Sequence, residues 1–254
     1  MSLQSEFAGI AARDGRAALV TVIAGSELGA KLLVRADGST EGSLGSEELD
    51  RAGVSAAEEQ LWAERSETRE AGETSLFVDV IAPAPRLVIF GAVDYAAALA
   101  RLARAAGWRP YVCDPRSQFA TTARFPDAEE VIVAWPDEAF ARIGGIDRAT
   151  YVAVLTHDPK LDDAALELAL GSEAPYVGAM GSRRAQAQRR ERLLAAGLDE
   201  DLLERVAAPI GLDLGALTPE ETALSIMAEV VAVRHGRDGG RLSKAGGRIH
   251  EVGA

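Results

Sequence analysis

The sequence predicts an α/β protein in which a parallel sheet and its joining helices fill the C-terminal two-thirds, behind a smaller N-terminal α+β unit. Three observations carry that expectation. From residue 86 onward, short apolar runs alternate with helical patterns, the order of a βαβ chain. Before residue 82 no such alternation is present. Between the two regions, Ala82-Pro83-Ala84-Pro85 sets two prolines where neither a helix interior nor a central strand tolerates them. The expected parts are therefore 1–82, 86–236 and a Gly-rich tail over 237–254 that is at least partly mobile.

The first region opens with a short mixed segment expected to be helical. Ala17 to Ala24 is rich in β-branched residues and reads as a strand. Lys31 to Arg35 and the Gly42-Ser43-Leu44 stretch read as strands around an Asp37-Gly38 turn. Glu47 to Glu70 is charged and mostly helical in pattern, and Ser75 to Ile81 returns as a strand.

In the second region, Arg86 to Phe90 is a buried-type strand running through Gly91 into a helix over Asp94 to Ala106. Leu99, Leu102, Ala103 and Ala106 give that helix one apolar stripe, and Gly107 ends it. Further strands are expected at Arg109 to Cys113, Glu130 to Ala134, Thr150 to Leu155 and Pro175 to Gly178. A helix after Pro159 carries Asp162 and Asp163 in its first turn, where the dipole favours acids. An Arg-rich helix follows Gly181. The last helix runs from Thr218 to about His235, with Thr218 as cap, Pro219 at its first position and Glu221 completing a capping box. Strands joined in this way make a parallel, Rossmann-like sheet, and ligands of such sheets bind beyond the strand C-termini.

Composition narrows the function. The 254 residues carry a formal net charge of −12, which disfavours nucleic acid and anionic membrane surfaces as partners. A single cysteine, Cys113, excludes an internal disulfide framework and a Cys-rich metal site, and fits a reducing, cytoplasmic setting. No apolar run approaches a membrane span, and the start of the sequence has no signal-peptide pattern.

The chemistry-bearing candidates collect at the expected strand ends. Gly91 lets backbone approach a phosphate at a helix N-terminus, or simply makes a tight turn. In Gly91-Ala92-Val93-Asp94-Tyr95-Ala96 the other glycines of a dinucleotide fingerprint are absent. Val93 crowds a pyrophosphate, and Asp94 sets an anion beside it. Asp114 follows the second strand at the offset of a ribose-binding acid, with Arg116 near enough to meet a phosphate; a turn aspartate before Pro115 is the plainer reading. Thr156-His157-Asp158 closes the fourth strand, as active groups, as a helix cap, or as both; His157 and Asp158 are the candidates for catalysis. Gly181-Ser182-Arg183-Arg184 has the makings of a phosphate clamp, with a hydroxyl cap and cations in a first turn where the dipole disfavours them. The alternative is a solvated basic face continuing through Arg189, Arg190 and Arg192. Pro209-Ile-Gly211-Leu-Asp213-Leu-Gly215 is a pocket-lining loop or a linker. No metal site is expected from the residues in view.

These motifs together resemble the XdhC/CoxI family of accessory proteins for molybdenum hydroxylases. The resemblance rests on Phe90-Gly-Ala-Val-Asp-Tyr-Ala-Ala, Thr156-His-Asp-Pro-Lys160, Tyr176-Val-Gly-Ala-Met-Gly-Ser-Arg-Arg184, and Pro209-Ile-Gly-Leu-Asp-Leu-Gly215 followed by Thr218-Pro-Glu-Glu-Thr-Ala. It implies an N-terminal XdhC/CoxI domain, a C-terminal Rossmann-like domain, and a binder of molybdenum cofactor (molybdopterin) that acts as a chaperone. Such a protein delivers the cofactor to an apo-enzyme of the xanthine dehydrogenase or carbon monoxide dehydrogenase type. On this reading Gly91, Ala92, Asp114, Arg116, Thr156, His157, Gly181, Ser182, Arg183, Gly211 and Asp213 hold the cofactor, the partner is a client hydroxylase, and a homodimer is compatible. The chain is then an insertion factor more than a catalyst. In the stretch that matches the family's Gly-Ser-x-Ser-Gly-Gly-Cys-x-Glu, the thiol position holds Glu48, a carboxylate that does not replace a soft ligand. Two alternatives remain at this point: an NAD(P)-dependent oxidoreductase with His157 as acid/base, and a paralogue kept as an interaction scaffold.

Overall fold

The computed structural model describes residues 2–244 and 246, in two compact units that divide between Pro83 and Ala84. In the N-terminal unit, α1 (Leu3–Ala12) is capped by Ser2 and followed by β1 (Ala17–Ala24), β2 (Lys31–Arg35) and β3 (Thr40–Ser43). After α2 (Glu47–Ala63) come β4 (Glu67–Ala71) and β5 (Thr74–Ile81). The five strands form an antiparallel sheet in the order β3-β2-β1-β5-β4. Alternation along β1 sends Ala18, Val20 and Val22 into one core with Ala57 and Leu61 of α2. Ala17 and Leu19 go to the other face, beside Phe7 of α1.

The expected helix over Glu47 to Glu70 is too long. Ser46 caps its start, but Glu64 turns left-handed (φ 53°) and ends it, and Glu67–Ala71 pairs with β5 as an edge strand. An edge strand with one solvated face does not need an apolar pattern, so its charged sequence reads as more helix. The predicted Gly42-Ser43-Leu44 strand lies two residues earlier, at Thr40–Ser43, paired with β2 around the expected turn.

In the C-terminal unit all strands run parallel. They are β6 (Arg86–Phe90), β7 (Arg109–Cys113), β8 (Glu130–Ile132), β9 (Thr150–Val154), β10 (Tyr176–Ala179) and β11 (Val206–Ala207), in the order β11-β10-β9-β6-β7-β8. The helices are α3 (Asp94–Ala105), α4 (Pro136–Arg142), α5 (Pro159–Leu170), α6 (Arg183–Ala195), α7 (Glu200–Glu204) and α8 (Pro219–Arg234). Leu87 and Ile89 of β6 face α3 and α8, while Val88 and Phe90 face α4 and α5, so the sheet is covered on both sides. Full coverage is why these strands are continuous apolar runs. The order reverses between β6 and β9, the switch point of a Rossmann-like sheet.

Some details differ from expectation. The short helices α4 and α7 and the two-residue β11 were not legible, and β8 stops at Ile132 instead of Ala134. Asp162 is in the first turn of α5, but Asp163 falls one position beyond it. The cap of α8 is as expected: the Thr218 hydroxyl accepts the Glu221 N–H (3.1 Å), and the Glu221 carboxylate accepts the Thr218 N–H (3.1 Å). Leu242–Lys244 makes one 3-10 turn. The remainder of the expected mobile tail, residue 245 and residues 247–254, lies outside the described residues. No helix among the described residues is long and apolar enough to cross a membrane.

Candidate functional site: a cleft at the switch point

A cleft of about 620 Å³ opens beyond the C-terminal ends of β6, β7, β9 and β10. That volume is ordinary for a small-molecule site. Three loops and one turn build it.

The first loop follows β6. Gly91 adopts φ +111°, and a Cβ there would stand 3.0 Å from the Thr156 backbone nitrogen. Both facts require glycine, because the turns after β6 and β9, the strands on either side of the switch point, meet at this place. Val93, Asp94 and Tyr95 continue into the cleft wall. Val93 is the N-cap of α3 and offers no side-chain acceptor to it. Ala96 is fully buried, the small residue that lets a helix pack closely on its strand.

The second loop follows β7 and supplies Arg116, the cation of the cleft lining. Asp114 has no exposed side-chain surface. Its Oδ2 accepts the Ala92 N–H (2.9 Å) and Arg116 Nη2 (2.7 Å); its Oδ1 accepts the Arg116 N–H and Nε (both 2.9 Å). Burial pushes the Asp114 carboxyl up, but the Arg116 hydrogen bonds and the two backbone donors outweigh it and hold the carboxyl below its ordinary value. Arg116 also lies over the Phe119 ring, 5.0 Å from its centroid. Its guanidinium is thus fixed on one edge and one face, and its Nη1 has no partner among the described residues. Arg124 ties the rest of this loop down, donating to the Ala92 and Phe119 carbonyls (3.0 and 3.1 Å) and to Asp94 (3.2 Å).

The third loop follows β9. The Thr156 hydroxyl accepts the Asp158 N–H (2.8 Å), and Asp158 accepts the Lys160 N–H (3.1 Å) as the N-cap of α5. The cap reading of this motif is therefore correct for Asp158, which nevertheless lines the cleft with Thr156 and His157. His157 is exposed. Neither its imidazole nor the Tyr95 hydroxyl has a hydrogen-bond partner among the described residues. These two and Arg116 Nη1 face the cleft together with the carboxylates of Asp94 and Asp158. Among the described residues no cluster of His, Cys, Asp or Glu is placed to hold a metal ion.

The turn after β10 contributes Met180. The expected clamp of Gly181, Ser182 and Arg183 does not join the cleft lining. Ser182 caps α6 by accepting the Ala185 N–H (3.3 Å), and Arg183 is exposed. The solvated basic face read for the rest of this helix holds in part: Arg184 and Arg192 are exposed and Arg190 is half-buried, while Arg189 turns inward. Arg189 is buried and donates to Asp162 (2.8 Å) and to the Met180 carbonyl (3.2 Å); Arg192 pairs with Asp163, and Arg190 with Glu200. Burial raises the Asp162 carboxyl above its ordinary value in spite of that arginine. Gly211 and Asp213 are likewise outside the lining. The Gly211 N–H is held by Glu229 (2.8 Å), which also accepts the Tyr176 hydroxyl (2.5 Å), and Asp213 is exposed. The Pro209–Gly215 motif straps a loop to α8.

Of the expected site residues, then, Arg116, Thr156, His157 and Asp158 meet in the cleft, with Gly91, Ala92 and Asp114 directly behind it. Sequence reasoning missed Tyr95, Leu155, Pro159 and Met180 as lining residues. Each sits within or beside a motif already read, and strand-end position was the available signal. In the N-terminal unit Glu48 is exposed in the first turn of α2, where it faces solvent in a favourable dipole.

Residues 87–230 match the XdhC Rossmann domain, and residues 10–72 match the XdhC and CoxI family. A probable xanthine dehydrogenase component of Bacillus subtilis (strain 168) is 32% identical over 161 residues, 63% of this chain and 46% of that protein. The "Molybdenum cofactor insertion chaperone PaoD" of Escherichia coli (strain K12) is 30% identical over 152 residues, 60% of this chain and 41% of that protein. The crystal structure of a xanthine dehydrogenase from Bacillus halodurans superposes with a TM-score of 0.61 at 26% identity, covering 89% of this chain and 64% of that one. The chain spans less than half the length of these curated relatives. With both matches in chain order and the Rossmann match alone spanning more than half of it, the chain belongs to the XdhC and CoxI family.

Proposed function

We propose that this chain is an accessory protein that binds molybdenum cofactor in the switch-point cleft and delivers it to a client molybdenum hydroxylase of the xanthine dehydrogenase type. The observation that carries the reading is the pre-set Arg116 guanidinium, fixed by Asp114 and Phe119, in the lining of a cleft of suitable size and with Nη1 without a partner among the described residues. A fixed donor facing an anion loses little freedom on binding. The residues fit the cargo at both ends. Arg116 takes the phosphate; Tyr95 and His157 offer hydrogen bonds to the polar edge of the pterin, and Leu155 and Met180 offer it apolar contact. The chemistry of the metal stays with the cargo, since the cleft brings no thiolate to it and the Met180 thioether is its one sulfur. The chain's part is to bind, orient and shield. A relative named as a molybdenum cofactor insertion chaperone supports the same reading.

The test is retention. Purified chain is mixed with molybdenum cofactor, passed through gel filtration without oxygen, and assayed for pterin fluorescence and molybdenum. Co-elution near one cofactor per chain is expected. Cofactor that elutes with the free small-molecule fraction at every concentration contradicts the proposal.

A further inference from the structure

We infer that the cleft selects a ligand bearing a single phosphate monoester and excludes the same ligand once a pyrophosphate extends it to a nucleotide. Val93 and Asp94 set that specificity, and the Asp114–Arg116 pair closes the nucleotide half of the site. The inference deepens the proposed cofactor binding and rests on it for the identity of the ligand.

In a sheet of this order a dinucleotide lays its pyrophosphate over the turn between the first strand and helix, and its ribose on an acid ending the second strand. Here the architecture for that mode is kept while both of its seats are filled. Gly91 makes the turn at φ +111°, and Ala96 keeps close helix–strand packing. Between them, the position that must let backbone approach the pyrophosphate carries the Val93 side chain, which stands in the cleft wall. The next residue begins α3 with the Asp94 carboxylate, 88% exposed and also lining the cleft. A helix N-terminus that would welcome two phosphates thus presents a branched side chain and a negative charge.

The ribose seat is independent evidence. Asp114 holds the place of the ribose acid, but its carboxylate is buried and already accepts four hydrogen bonds. A ribose hydroxyl would have to displace Arg116, whose side chain covers it. Charge gives the same answer. Arg116 shares the lining with Asp158 and with Asp94, whose carboxylate pairs with Arg124 on one oxygen (3.2 Å), so one phosphate finds one lining cation and a second meets carboxylates.

The test uses the full chain and isothermal titration with two ligand pairs. The first pair is molybdenum cofactor and its nucleotide-extended form. The second is ADP-ribose and NADPH, chosen because the 2′-phosphate of NADPH is the group Arg116 would otherwise attract. The native chain is expected to bind the monoester cofactor at least tenfold more tightly than the extended form, and to show no saturation with ADP-ribose or NADPH. The Val93→Gly/Asp94→Ser double variant is expected to narrow the cofactor gap at least tenfold and to acquire ADP-ribose binding. Asp94→Asn alone, which keeps the shape of the turn, should recover part of that gain if the double variant does not fold. Equal binding of the two cofactor forms, saturation of the native chain by ADP-ribose or NADPH, or folded variants with no gain would each overturn the inference. Should the native chain retain neither form of the cofactor, the proposed function fails, and the ADP-ribose arm still decides whether Val93 and Asp94 exclude a pyrophosphate.

Discussion

The turns after β6, β7 and β9 and the turns after β10 and β11 carry glycine-rich or charged motifs of the same general kind, yet they use their polar groups differently. Around β6, β7 and β9 the backbone is satisfied by buried side chains, Asp114 and Thr156, and polar groups of Tyr95, Arg116 and His157 without partners among the described residues remain in a cleft lining. Around β10 and β11 the groups either are committed within the fold or, like Arg183, Arg184 and Asp213, stand exposed outside the cleft lining. Arg189 goes to Asp162, Ser182 to the helix it caps, and the Gly211 amide to Glu229. A strand-end motif is therefore a binding motif only where its hydrogen bonds are completed from behind and leave something over in front.

Four changes break or sharpen that comparison. The largest effect belongs to the committed side. Arg189→Met leaves Asp162 buried without its cation and should cost about 3 kcal/mol or more in urea unfolding. Adding Asp162→Leu should recover most of the loss, since an apolar pair needs no partner. A loss that persists in the double variant would mean that Arg189 does more than answer Asp162.

Gly211→Ala comes next. The residue sits at φ +98°, and an added Cβ would stand 2.5 Å from the Ser225 hydroxyl oxygen. A cost of about 1–3 kcal/mol is expected, with cofactor retention unchanged in the protein that remains folded. Loss of retention without loss of stability would move Gly211 to the open side.

On that open side, Asp114→Asn should weaken cofactor retention about tenfold, the order of one charge-assisted hydrogen bond, by freeing Arg116 to wander. The same variant has a pH signature. The Asp114 carboxyl is held below its unfolded value, so its contribution to stability is complete above that value and fades as pH falls through the depressed one. Acid unfolding of the native chain should show that limb, and Asp114→Asn should flatten it.

Arg183→Ala is expected to do least: within about 0.5 kcal/mol in stability and within twofold in retention, as an exposed residue away from the cleft lining. A large loss of retention would restore the clamp that the sequence suggested.

The fold was largely legible because its signals are local. The apolar strand β6 runs into Gly91, Thr218-Pro-Glu-Glu221 announces its helix, and β6, β7, β9 and β10 are nearly continuous buried runs. The edge strand β4 was not, because solvent on one side lets Glu67-Thr-Arg-Glu-Ala71 be charged; β11 is too short to carry a pattern. At the site, position was legible and allocation was not. That Thr156, His157 and Arg116 lie at strand ends follows from their neighbours in sequence. Whether an arginine is committed depends on a partner 27 residues away for Arg189, and whether Gly211 is free depends on one 18 residues away. Arg189 reads as part of a solvated face until its partner is placed, while Arg116 finds its partner two residues back and still keeps a donor open.

The comparison comes down to which arginine holds the ligand. Cofactor retention should be measured side by side in Arg116→Ala and Arg183→Ala proteins of matched thermal stability. The account predicts that Arg116→Ala loses bound pterin by tenfold or more while Arg183→Ala keeps it. Retention that survives Arg116→Ala and collapses in Arg183→Ala would place the anion at the start of α6 and contradict the account.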